Sequence, residues 1–139
     1  MNFAMVHGTA KELKNGYFLL DQGAYAVGYM GSKLRTSRLA FVEAKEGAIV
    51  VCAPESCVTA EAGAFVVAMK SGSVIGKPGS FVYAKAGAWL TMEAGAFLYL
   101  EGPPAELNDR GAIIIPVDKD GNVIKPADDA PPAEPPAAA

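Results

Sequence analysis

Four groups of residues have types and spacings that could do chemistry. His7 is the single histidine, so a His-based triad or metal cluster has no second imidazole to complete it. Cys52 and Cys57 stand in a C-x4-C spacing with no further Cys or His for zinc, and read as small apolar core residues. Asp118-x-Asp120-x-Asn122 opens like a calcium loop. Its glycine, Gly121, comes at the fourth place and no Glu stands at the twelfth, so a tight turn fits better. Lys33, Arg35 and Arg38 place three positive charges in one short segment without an acid, a possible docking patch for a phosphate or an acidic surface. None of these groups converges with another in sequence. The expectation is a protein that is not an enzyme and needs no cofactor or metal.

Composition narrows the classes further. The chain has 139 residues, one domain's worth, with 51% hydrophobic and 19% charged residues. A net charge of -3 argues against a dedicated nucleic-acid partner. No apolar run approaches a membrane span, and the N-terminus lacks the pattern of a secretion signal. Two cysteines suit a chain made in a reducing compartment.

What positions the side chains is a repeat. Gly31, Gly47, Gly63, Gly79, Gly95 and Gly111 fall at sixteen-residue intervals, with Gly23 and Gly87 on the half-steps. Cut every eighth residue, the chain reads GAIVVCAP, ESCVTAEA, GAFVVAMK, SGSVIGKP, GSFVYAKA, GAWLTMEA, GAFLYLEG, within a register running from Gly23 to Asp118. The first position favours Gly, the second is Ala, Ser or Gly except at Pro104, the fourth is Val, Leu or Ile except at Ala26 and Glu106, and the seventh is often charged. Recurrent glycine opposes a helix, and runs such as Phe65-Val66-Val67 favour strands. The octad therefore predicts a strand over positions two to six and a turn over seven, eight and one, with Gly supplying positive φ. Positions two, four and six share a face that reads small, aliphatic, small, as in Ala64, Val66 and Ala68. A narrow interior of this kind suits an all-β solenoid; an antiparallel β-sandwich is the alternative.

Positions three and five make sixteen the true repeat. In alternate octads they are Ile49 and Val51, Phe65 and Val67, Phe81 and Tyr83, Phe97 and Tyr99, Ile113 and Ile115. In the intervening octads they are Phe41 and Glu43, Cys57 and Thr59, Ser73 and Ile75, Trp89 and Thr91, so that strand is half polar. Stacked, the apolar pairs form a stripe that predicts an oligomer interface between copies of the chain, unless a second sheet of the same chain covers it. Residues 1–22 fall outside the repeat and read as an N-terminal cap or docking segment, with a capping box at Thr9 and Glu12 and a short helix over Lys11–Asn15. Residues 119–124 read as the turn and return of a closing hairpin, and 125–139 as a disordered Pro/Ala-rich acidic tail.

In its octapeptide period and small/aliphatic patterning from Gly23 to Asp118, the chain resembles the repeat β-helices of phage and virus appendages. In that group three copies often intertwine around a shared core. The resemblance implies a homotrimeric virion protein, made in the host cytoplasm: a capsid decoration protein, head fibre or tail spike, with a capsid or tail protein as partner. It departs in placing Gly three residues before Val, as in Gly63 and Val66, and carries over no functional residue. Size and layout also resemble bactofilins, which would imply a polymer-forming scaffold in the bacterial cytoplasm. A monomeric ligand-binding solenoid presenting Trp89 is a third possibility.

Overall fold

The computed structural model describes residues 3–124. Its strands are β1 (Phe3–Val6), β2 (Thr9–Leu13), β3 (Gly16–Leu20), β4 (Tyr25–Gly28), β5 (Ser32–Arg35), β6 (Phe41–Ala44), β7 (Ile49–Cys52) and β8 (Cys57–Ala60). They continue as β9 (Phe65–Ala68), β10 (Ser73–Gly76), β11 (Phe81–Ala84), β12 (Trp89–Glu93), β13 (Phe97–Glu101), β14 (Glu106–Arg110) and β15 (Ile113–Val117). Odd-numbered strands form an eight-stranded sheet and even-numbered strands a seven-stranded one, each in chain order. Every strand–strand pairing is parallel, so the antiparallel sandwich is excluded: the fold is a two-sided β-solenoid. One coil is sixteen residues, a strand in each sheet, as Val66↔Val82 and Val58↔Val74 show.

The core lies between the sheets and is filled by the even octad positions. Val50, Val58, Val66, Val74 and Val82 are all essentially inaccessible, flanked by buried Ala24, Ala40, Ala64 and Ala88 at the second position. Where Ser replaces Ala at this position, in Ser32, Ser56 and Ser80, the hydroxyl donates to the carbonyl three residues back at 2.6–2.7 Å, so no buried polar group is stranded. Side-chain volume is conserved along each stack rather than at each site. Gly76 lies beside Met92 in register, and the Met92 thioether fills the space that a Cβ on Gly76 would enter.

The turns explain the glycine column. The first octad position is left-handed, with φ of +81° at Gly63 and +83° at Gly47. The amide of Gly47 donates to the carbonyl of Gly63, and that of Gly63 to Gly79, so the turns themselves stack in a hydrogen-bonded ladder. Leu39, Glu55 and Ser71 hold the same conformation without being glycine, because the second turn row forms the same ladder. That row ends at Pro103, whose carbonyl accepts from Gly87 and whose ring nitrogen has nothing to donate.

Two expectations need correction. The short helix expected over Lys11–Asn15 is absent: β1, β2 and β3 extend both sheets, and no helix occurs among the described residues. A one-turn helix over Lys11–Asn15 has little stability of its own, whereas β4 offers β2 a parallel edge to pair with, at the cost of a register shift between Ala10 and Leu13. The irregular octad containing Glu106 is a one-residue slip. Glu106 pairs with Trp89 and Leu107 with Leu90, so Leu107 takes the inward place. The closing hairpin is present: Val123 bridges antiparallel to Val117, with the Gly121 amide donating to Asp118. The tail 125–139 lies outside the described residues.

Candidate interaction surface

On the eight-stranded sheet, odd octad positions point outward and form two rows. The first runs Ile49, Phe65, Phe81, Phe97, Ile113, and the second Val51, Val67, Tyr83, Tyr99, Ile115, each in direct parallel register. Ile49, Phe65, Phe81 and Ile113 remain 36–48% exposed. The seven-stranded sheet lies behind them across the core and covers none of this face. Phe81 and Phe97 stack with ring centroids 5.0 Å apart and planes 10° from parallel. The residues expected to form an oligomer interface are thus brought together on one exposed face. The sequence signal was the alternation of apolar and polar octads, and that alternation is the alternation of sheets.

This face has polar margins. Tyr83 donates to Glu101 at 3.0 Å, and Lys85 reaches the same carboxylate at 3.1 Å. Desolvation and then the Glu101 hydrogen bond push the Tyr83 phenol upward from its ordinary value. Gly121 approaches the Tyr83 hydroxyl, so the closing hairpin forms a lip along the strand ends and brings Asp118 and Asp120 near Tyr83. Asp118 Oδ1 accepts from the amides of Asp120 and Asn122, which is the chemistry of a turn. At the other end of the face Lys33 and Arg35 take the outward places of β5, with Lys33 over the Tyr17 ring at 5.0 Å. Arg38 does not join them: it sits in the following turn, 2.6 Å from Glu55.

The opposite face is different. On the seven-stranded sheet the first outward row is Phe41, Cys57, Ser73, Trp89, Glu106, with Thr59 and Thr91 in the second. Small residues between Phe41 and Trp89 leave a shallow groove of about 310 Å³. Cys57, expected in the core, instead lies half-exposed on this groove's floor, because it occupies the third octad position whereas Cys52 occupies the sixth. Cys52 is buried, and desolvation pushes its thiol up to about 11. The two cysteines therefore leave different sheets in different directions and do not form a ligand pair. Tyr25 donates to Glu43 on the same sheet, which raises the phenol's pKa.

His7 meets one partner that the sequence reading missed, Asp21, at 2.8 Å. The Gln22 amide first, and His7 second, hold the Asp21 carboxyl below its usual range. The pair is exposed and joins the ends of β1 and β3, a contact created by coiling across fourteen residues of sequence.

No protein-family model matches the chain, and no curated protein or solved structure matches it. No helix among the described residues is long and apolar enough to cross a membrane.

Proposed function

We propose that the protein is a non-enzymatic structural component that self-associates through the outer face of its eight-stranded sheet. One observation carries this reading: two apolar rows, five strands long, lie on one outer face, with Ile49, Phe65, Phe81 and Ile113 exposed and the others half-buried. Exposed aromatic and aliphatic side chains in one contiguous row support an interaction site there. The single histidine, His7, is held in a pair with Asp21, and Cys52 is kept as a buried thiol. Each coil closes within one chain, which favours side-by-side packing of finished solenoids over intertwining. A single outer face can be met by one second copy, which favours two copies over the three implied by the appendage resemblance. A place in a virion shell, fibre or spike rests on that resemblance.

The bactofilin-like polymer is the second reading, and the solenoid ends argue against it. End-to-end growth needs open strand edges. Here β14 is the charged strand ELNDR, β15 carries Pro116 and is met by the hairpin, and β2 is irregular in register. Light scattering on a sizing column tests both readings. The expected result is a discrete oligomer that Phe65→Lys converts to monomer. A wild-type monomer overturns the proposal, and open-ended filaments transfer it to the polymer.

A further inference from the structure

Resting on the self-association reading, we infer that the partner on this face is a second copy in one particular register, related by a two-fold axis along the strand direction between β9 and β11. Such an axis keeps the strand direction and reverses the order of strands. It sets β9 against the partner's β11, β7 against its β13 and β5 against its β15.

Three features of the face fit this arrangement. The first is size. Along the second outward row the side chains are Val51 and Val67 in one half and Tyr83 and Tyr99 in the other. The reversed order sets Val51 opposite the large Tyr99 position and Val67 opposite Tyr83, so small meets large along this row in both halves of an isologous pair. The second is charge. Lys33 and Arg35 lie at one end of the face, and the hairpin carboxylates Asp118 and Asp120 lie along the strand ends at the other. Reversal brings Arg35 of each copy to the other copy's hairpin, while the low Val half makes room for that lip.

The third is area. Five apolar strands alone cover roughly 350 Å² per copy at about 4.8 Å per strand and 3.3 Å per residue, below what a stable pair needs. The six strands that this axis pairs, β5 to β15, reach roughly 800 Å² over both copies before the hairpin is added, in the range of weak pairs. Pairing must therefore include the β5 row and the hairpin. The other in-plane axis, along the solenoid, would place the Lys33 and Arg35 strand against the same strand of the partner. Like-charge contact disfavours it.

The test uses complementary chains at low salt. Arg35→Glu alone, and Asp120→Lys alone, should each raise the dimer dissociation constant about tenfold or more, because each homodimer then carries two repulsive contacts. An equimolar mixture should recover tight pairing as a heterodimer, since both of its contacts are again of opposite sign. Independently of charge, Val51→Tyr should weaken pairing, and Val51→Tyr with Tyr99→Val should restore it. Sedimentation velocity reads the association, and circular dichroism confirms that each variant is folded. A wild-type dimer whose variants pair unchanged, or whose mixture and double variant stay weak, overturns this register and leaves self-association standing. A monomeric wild type overturns both.

Discussion

The two sheets are made from one octad, and they differ only on their outer faces. Facing inward, both present small, aliphatic, small; facing outward, one presents Phe, Tyr and Ile in continuous rows and the other Ser, Thr, Glu and Cys interrupted by Phe41, Ile75 and Trp89. Fold and function are thus written at different octad positions. The even positions close the coil and are nearly interchangeable between sheets. The odd positions contribute little to closure and are free to specify what the molecule meets. A two-sided solenoid permits this division because every side chain either enters a core only two sheets thick or leaves it entirely.

The largest test of that comparison is at the inner positions. Val74 in the polar sheet and Val82 in the apolar one are both essentially inaccessible. Replacing either with Asp buries a carboxylate with no partner, and each variant should lose more than about 4 kcal/mol and unfold under mild conditions. Urea unfolding of Val74→Asp and Val82→Asp should give equal losses. A tolerated Asp in one sheet alone would show that the inner faces are not equivalent.

The outer faces should then separate. Phe97→Ala removes a ring stacked on Phe81 and should cost the single chain about 1 kcal/mol while also weakening self-association at least tenfold. Trp89→Ala, at the same octad position of the opposite sheet, should leave the native mass unchanged. Equal effects of the two variants on native mass would remove the distinction on which the functional proposal stands.

Most of the architecture was legible because periodicity survives in sequence whenever side chains repeat their environment. Val66 predicts Val82 and Phe65 predicts Phe81, for they are stacked neighbours in one ladder. The places that resisted reading are those where the period slips. Glu106 looks like a polar residue in an inward column, and only the pairing of Leu107 with Leu90 exposes the inserted residue. Likewise Thr9–Leu13 carries capping residues that favour a helix locally, and the open edge of β4 overrides them. The candidate surface was legible as a set of residues but not as an exposed one. Exposure depends on which side of the stripe the second sheet takes, and octad chemistry alone leaves both sides open. Contacts between coils, such as His7 with Asp21, have no periodic signal at all.

The finest probe of the comparison is the pair of thiols, which differ by face rather than by chemistry. Cys57 is half-exposed on the polar sheet's outer row, and Cys52 faces inward from the apolar sheet. At pH 8 a thiol-specific disulfide reagent should modify one cysteine per native chain and two after denaturation. Cys57→Ser should abolish the fast reaction. Burial raises the Cys52 thiol from its ordinary 9.0 to about 11, which favours the neutral form in the folded state. That group's contribution to stability is therefore complete below about pH 9 and is lost as pH rises through about 11. Cys52→Ala should remove this part of the alkaline loss of stability, whereas Cys57→Ser should leave it in place. Two fast-reacting thiols in the native chain would mean that the sixth octad position does not face the core, and the inward and outward assignment of the whole repeat would fall with it.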